Sequence, residues 1–177
     1  MIVRCAMVIS VNGYIARLDG EEDFISSDNW QEFLDTVKEC NNVVVGRKTY
    51  ETVTKLYKDY NFDNVVADYK IIVTSDSGYP PTKGFTVVHS PKEAIKFLES
   101  KGLERAYVEG GELNASFASE GLINELEVVI EPFAIGKGRQ GLAIGDYELS
   151  LKLVKFEKLS GDRVHMLYEV AKNRGEL

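Results

Sequence analysis

The alternation of strand-like and helix-like segments restricts most strongly how this chain can fold. As far as Gly121, short apolar runs alternate with amphipathic stripes, and the segments that follow have the pattern of strands alone. The early strand-like runs are Cys5 to Ile9, Val43 to Val45, Lys70 to Thr74, Phe85 to Val88 and Ala106 to Val108. Strands that alternate with helices form a sheet with helices on both of its faces.

The helices between these strands are marked by apolar stripes and capping residues. Apolar residues recur at helical spacing from Trp30 to Cys40. We expect Asp28 to cap this helix and Gln31 to complete a capping box. The segment Ser90-Pro91-Lys92-Glu93 has the same capping pattern, with proline at the first helical position and Gly102 at the end.

The last third of the chain has strand-like patterning only. Leu126, Val128 and Ile130 alternate with their neighbours, and two final strands flank the turn Ser160-Gly161-Asp162, at about Leu149–Lys158 and Arg163–Val170. We therefore predict one three-layer α/β domain over residues 1–177. Its central sheet would be mixed and mostly parallel, flanked by helices, with a C-terminal antiparallel hairpin.

Composition excludes several classes of function. Lys and Arg number 21 against 28 Asp and Glu, a net charge of −7, which argues against nucleic acid or anionic membranes as the main partner. The N-terminal apolar stretch is too short for a secretion signal or a membrane span. Cys5 and Cys40 are expected to be free thiols, and neither they nor the two histidines form a local metal motif. This composition favours a cytoplasmic protein.

Two strands end in glycine directly before a helix, at Gly46 and at Gly110-Gly111. The first turn of a helix has free backbone N–H groups, and glycine lets an anion approach them closely. Arg47, Lys48 and Thr49 add two cations and a hydroxyl to the first turn. Two such turns facing one cleft would suit a dinucleotide. The alternative is that the glycines only permit tight turns and the cations only contact solvent. Neither motif matches the Rossmann or Walker A pattern, so an ordinary Rossmann or P-loop site is not indicated.

The order of these motifs resembles the dihydrofolate-reductase-like fold and, within it, the reductase domain of riboflavin biosynthesis, the RibD C-terminal domain family. The resemblance spans nearly the whole chain. It rests on Val8-Ile-Ser-Val-Asn-Gly-Tyr-Ile-Ala16, Val45-Gly-Arg-Lys-Thr-Tyr-Glu51, Val108-Glu-Gly-Gly111, Gly121-Leu-Ile-Asn-Glu-Leu126, Glu131-Pro132 and Gly136-Lys-Gly138.

The resemblance implies an NADPH-dependent oxidoreductase acting on a pyrimidine or pteridine-like substrate, similar to the 5-amino-6-(5-phosphoribosylamino)uracil reductase. It also implies a cytoplasmic homodimer. By similarity, the cofactor's phosphates would contact Gly46, Arg47, Lys48 and Thr49, and its adenosine ribose or 2′-phosphate would contact Thr74 and Ser75. Gly110 and Gly111 would lie under the pyrophosphate, and Ala6 and Ile15 would flank the nicotinamide.

Reduction also needs a proton donor, and the carboxylates near these motifs are Glu109, Asp28 and Asp19. We expect Glu109 to be the donor, because the family has a glutamate at the matching position. Asn12 stands in the site where the family usually has aspartate, and an amide can hydrogen-bond but cannot take up a proton. A second departure, Asn124 in place of aspartate, is expected to affect the fold or a subunit contact.

Three alternatives remain open. A dihydrofolate reductase-like enzyme would need a carboxylate from the first helix, which only Asp28 or Glu32 could supply. A non-catalytic NADP-binding protein is suggested by Asn12. A pure interaction module is disfavoured by the paired glycine turns. The zinc deaminase motifs that can accompany this reductase domain are missing.

Overall fold

The computed structural model describes residues 1–57, 62–142 and 145–171, which form a large sheet with helices on both faces. The helices are α1 (Ser27–Cys40), α2 (Arg47–Leu56), α3 (Pro91–Ser100) and α4 (Gly111–Ser119). The strands are β1 (Ile2–Ser10), β2 (Tyr14–Ala16), β3 (Asn42–Gly46), β4 (Tyr69–Val73), β5 (Thr86–Val88), β6 (Arg105–Glu109), β7 (Glu125–Glu131), β8 (Arg139–Gln140), β9 (Ser150–Lys158) and β10 (Val164–Ala171).

The large sheet has the strand order β5-β4-β3-β6-β1-β7-β10-β9. The first six of these strands run parallel to one another, and β10 runs antiparallel to both β7 and β9. The predicted three-layer fold, with a mixed, mostly parallel sheet and a terminal antiparallel hairpin, is confirmed. The parallel order also brings the carboxyl ends of β3, β6 and β1 to one edge of the sheet.

Two apolar clusters lie on opposite faces of this sheet. Val44, Phe117 and Leu126 belong to the cluster under α3 and α4. Val43 and Tyr107 belong to the cluster under α1, against which Trp30, Phe33 and Leu34 of that helix pack. Adjacent residues of β3 thus belong to different clusters, as expected for a strand covered on both faces.

The N-terminus of α3 has the expected cap, but that of α1 does not. Ser90 Oγ accepts a hydrogen bond from Glu93 N (3.2 Å). Helix α1 instead begins at Ser27, so the prediction that Asp28 caps it was wrong. The Glu131 carboxylate, at the end of β7, accepts hydrogen bonds from Ser26 N (3.0 Å) and from Asn29 Nδ2. A partner about a hundred residues away thus binds the N–H of the N-cap residue Ser26, the bond that a first-turn Glu or Gln makes in a capping box.

Two further features concern the small elements and the thiols. Strands β2 and β8 form a separate antiparallel pair that the sequence did not predict. Cys5 and Cys40 are free thiols, as expected. Across the described ranges, none of the helices is long and apolar enough to cross a membrane.

Candidate functional site

The two glycine turns lie against each other at the carboxyl edge of β3 and β6. A Cβ atom added to Gly110 would lie only 2.6 Å from Thr49 Oγ1 and 3.9 Å from Gly46 N. Gly110 also has φ +117°, a conformation that residues with a side chain rarely adopt. Glycine is therefore required at this position, and it brings the first turns of α2 and α4 into contact.

These turns open onto one cleft of about 1030 Å³. A cleft of this size is large enough for a cofactor-sized ligand. Of the residues assigned to a cofactor from the sequence, Ile15, Gly46, Arg47, Lys48, Thr49, Thr74, Ser75 and Gly111 line it. Strand β8, with Arg139 and Gln140, forms a wall that the sequence did not indicate.

The cleft wall formed by α2 is positively charged. Helix α2 has Gly46 at its N-cap and no side chain bonded to its first N–H groups. Arg47 pairs with Glu51 (3.0 Å), and Lys48 pairs with Glu112 in the first turn of α4 (2.7 Å). Exposed ion pairs of this kind are weak, so both cations remain available to an anionic ligand.

His89 is a cleft residue that the sequence analysis did not assign to the site. It follows β5, and its Nδ1 lies 3.1 Å from Thr74 O at the end of the neighbouring strand β4. Thr74 is buried, whereas Ser75 and His89 are exposed. The position of His89 directly after a strand was the only sequence signal that could have identified it.

Glu109 ends β6 beside the cleft, with Ala6 and Val45 as its neighbours on the adjacent strands. Burial raises the pKa of Glu109 to about 8. The Tyr107 hydroxyl, which donates a hydrogen bond to the carboxylate, partly opposes this shift, and the nearby Glu22 carboxyl adds to it. Glu109 therefore holds a proton at neutral pH.

Glu22, in the cleft wall, also has a raised pKa, of about 7. Burial is the cause, and Arg139 partly offsets it. Sequence reasoning missed this residue because nothing in the acidic run from Asp19 to Asp23 distinguishes it from its neighbours. Glu22 thus lines the cleft and Glu109 lies beside it, and burial raises the pKa of both carboxyl groups.

Like Glu109, the other two candidate catalytic residues are not among the described residues that line the cleft. Asp28 is exposed on α1, where its carboxylate accepts hydrogen bonds from Ser160 Oγ (2.9 Å) and Arg163 Nη2 (3.5 Å). Asn12 lies in the turn between β1 and β2. Its Oδ1 accepts from Ile135 N (3.1 Å), and its Nδ2 donates to Ile135 O (2.7 Å). Both side chains therefore join distant segments of the chain.

Two observations indicate that the cleft fits a dinucleotide. The space a Cβ would need at Gly110 is taken by Thr49, which lines the cleft, so bare backbone lies beside that hydroxyl. Ala6 is buried, and its carbonyl accepts a hydrogen bond from Asn114 Nδ2 (2.9 Å), whereas Asn114 Oδ1 has no partner in the described part of the chain. Bare backbone suits phosphate, and a buried unpaired acceptor suits a ligand N–H group.

One family model matches most of this chain. The family model described as the RibD C-terminal domain matches residues 1–165. The uncharacterized protein YyaP of Bacillus subtilis (strain 168) is 19% identical over 171 residues, which cover 92% of this chain and 91% of YyaP.

Solved structures share the fold at low sequence identity. A putative riboflavin biosynthesis protein from Shewanella sp. PV-4 superposes with a TM-score of 0.82 and 21% identity, covering 97% of this chain and all of that one. RibD of Acinetobacter baumannii gives 0.75 and 18%, covering 97% of this chain and 58% of that longer one. Dihydrofolate reductase from Enterococcus faecalis, complexed with NADP(H) and RAB-propyl, gives 0.67 and 16% over 97% of both chains.

The raised pKa of Glu109 has a consequence for stability. The folded protein keeps a proton that the unfolded chain, with a carboxyl pKa near 4.5, releases, so stability falls as the pH rises from about 4.5 through about 8. We expect the free energy of unfolding, measured in urea, to fall less between pH 5 and pH 9 for Glu109→Gln than for wild type. Glu104→Gln, at an exposed position before β6, is the matched control. An equal pH dependence in all three proteins would contradict this expectation.

Proposed function

The chain belongs to the RibD C-terminal domain family, and from this premise we propose that it is an NADPH-dependent reductase of a pyrimidine or pteridine-like substrate. The observation that carries the proposal is the contact between the Gly46 and Gly110 turns at one cleft, with the protonated Glu109 beside them. Anion-binding helix ends and a proton donor are what hydride transfer to a polar double bond requires of the protein.

The proposed cofactor position follows the cleft from α2 to the end of β1. The N–H groups after Gly46, together with Arg47, Lys48 and Thr49, bind phosphate. Thr74 and Ser75 bind the adenosine ribose or its 2′-phosphate. The backbone of Gly110 and Gly111 lies beneath the pyrophosphate, and Ala6 and Ile15 flank the nicotinamide. Bound NADPH would supply the hydride.

Glu109 is the proposed proton donor. Reduction of an imine adds a hydride to carbon and a proton to nitrogen, which turns C=N into CH–NH. In the reaction of riboflavin biosynthesis, the carbon is C1′ of a ribosylamino pyrimidine in its open form. A carboxyl group with a pKa of about 8 carries the proton at neutral pH, and the Tyr107 hydroxyl stabilises the carboxylate left behind.

The alternatives have less support. A dihydrofolate reductase-like enzyme would bind a pterin ring through Asp28 or Glu32 of the first helix. Arg163 already binds both carboxylates, with contacts to Glu32 of 2.9 and 3.0 Å. Non-catalytic NADP binding was suggested by Asn12, yet the bonds of this amide to Ile135 give it a structural role. We therefore propose that Asn12 and Asp28 have a positioning role.

The net charge of −7 supports a protein with no nucleic-acid or membrane partner, and the two free thiols support a cytoplasmic location.

Turnover tests the proposed function directly. We expect NADPH oxidation with a member of a panel of ribosylamino pyrimidines and dihydropterins. Glu109→Gln should lower kcat by a factor of about 10²–10⁴, because general acid catalysis contributes that much. Glu104→Gln is the control. Tight NADPH binding without turnover on any substrate would support the non-catalytic alternative, and absence of nucleotide binding would support the interaction module.

Arg47 provides a test of cofactor preference. We assign Arg47 to the 2′-phosphate, because it lines the cleft together with Thr74 and Ser75 and guanidinium recognises phosphate strongly. Arg47→Ala should therefore weaken NADPH binding by about tenfold and NADH binding by much less. Dissociation constants from fluorescence titration give both values. Arg105→Ala, an exposed arginine at the opposite end of the sheet, is the control. An equal loss for both cofactors would move Arg47 from the 2′-phosphate to the pyrophosphate.

The subunit contact can be tested at β9. Among the described strands, this edge strand pairs with β10 alone, and it leaves Leu153, Val154 and Phe156 at least half exposed (51, 51 and 64%). Exposed apolar edges need covering, which supports a homodimer. We expect sedimentation equilibrium at micromolar concentration to give a dimer, and Phe156→Glu to give a monomer. Val66→Glu, at an exposed position away from β9, should remain a dimer. A wild-type monomer would contradict the proposal.

A further inference from the structure

The sheet has a break beside the cleft, between β1 and β6. These strands pair from Ile2 to Ala6 only, although β1 continues to Ser10 alongside β7. The break arises because the chain turns at Gly110 and enters α4. One edge of β1 therefore loses its strand partner after Ala6.

Asn114 lies at this break. Its side chain is fully buried, and its backbone N–H donates to Gly110 O (2.8 Å), which holds the residue in the first turn of α4. Nδ2 donates to Ala6 O (2.9 Å), in place of the missing strand β6. Oδ1 belongs to the same planar amide and so lies at the same break, but it has no hydrogen-bond partner among the described residues.

A purely structural asparagine in this protein looks different. Asn42, also fully buried, accepts from Tyr107 N (3.1 Å) and donates to Cys40 O and Arg105 O (2.8 Å each), so both of its amide atoms are used. Leaving a buried acceptor unpaired is unfavourable, and buried polar atoms in native proteins nearly always have a partner. The free Oδ1 of Asn114 therefore points to a donor supplied by a ligand.

The position of this oxygen relative to the cleft indicates which part of a ligand could reach it. Gly111 lies three residues before Asn114 on the same face of α4, and it lines the cleft. A Cβ on Gly111 would lie 2.9 Å from both Ile15 Cδ1 and Gln140 O. Ile15 and Gln140 also line the cleft, so the start of α4 and the break beside it adjoin the cleft next to Ile15.

We propose that Asn114 binds the carboxamide of the nicotinamide ring, with Oδ1 accepting a carboxamide N–H while Nδ2 holds the Ala6 carbonyl. The inference rests on the proposed function, which gives the cleft to a nicotinamide cofactor. Asn114 would fix how deeply the nicotinamide ring enters the cleft and how the ring is rotated. With its carboxamide held at the break, the ring presents only one face to the side of the sheet that carries Glu109.

The test compares three ligands that differ at one end. NADPH has the carboxamide, its 3-acetylpyridine analogue keeps the carbonyl but lacks the N–H, and adenosine 2′,5′-bisphosphate lacks the ring altogether. Isothermal titration should give wild type about a tenfold preference for NADPH over the analogue, the size of one hydrogen bond to a buried acceptor. Asn114→Ala should reduce this preference to less than about twofold and leave bisphosphate binding unchanged.

Asn124→Ala is the matched control. Asn124 also bonds to β1, through Val3 N to Oδ1 (2.8 Å), but at the strand's other end. Asn124→Ala should lower the free energy of unfolding but keep the tenfold preference for NADPH over the analogue. If Asn114→Ala does not fold, the wild-type protein still provides the test, because equal affinity of wild type for NADPH and the analogue would overturn the inference. An unchanged preference for NADPH in Asn114→Ala would also overturn the inference, but it would not contradict the reductase proposal. Failure of all three ligands to bind wild type would overturn both.

Discussion

The close contact between Gly110 and Thr49 is the constraint on which the rest of this site depends. It forces the first turns of α2 and α4 together, although neither turn has a capping side chain bonded to its free N–H groups. Two positive helix ends with Arg47 and Lys48 beside them repel each other unless negative charge lies between them. Glu112 supplies part of that charge through its pair with Lys48. A diphosphate would supply more, which is why we interpret the contact as a binding feature.

The same glycine turn also separates two chemical roles across the sheet. Glu109, directly before the turn, belongs with Tyr107 and Ala6 on the α1 face. Asn114, directly after it, belongs to α4 on the opposite face. Because β1 and β6 no longer pair beyond Ala6, the gap connects the two faces. A ring held from the α4 side can therefore present one face to a substrate and a proton donor on the α1 side.

The sequence predicted what depends on neighbouring residues. Both glycine turns, the cap of α3 and the terminal hairpin have local signals and were confirmed. The prediction that Asp28 caps α1 was wrong. The helix begins at Ser27, and Glu131, about a hundred residues away in sequence, binds the N–H of Ser26 before it. His89 and Asn114 were missed as site residues for the same reason. Their significance comes from Thr74 and Ala6, which only the parallel pairing of strands brings beside them.

The carboxyl groups around α1 divide into two kinds according to their partners. Asp28 and Glu32 both contact the buried guanidinium of Arg163, so their charge is neutralised by a fixed cation. Glu22 and Glu109 lie close enough to influence each other, and burial raises both pKa values into the range from about 7 to about 8. The Glu22 carboxyl adds to the raised pKa of Glu109, whereas Arg139 partly offsets the shift at Glu22. Carboxyl groups whose pKa values are raised by burial beside a cleft are typical of functional sites, whereas those of Asp28 and Glu32 are held in an ion-pair network.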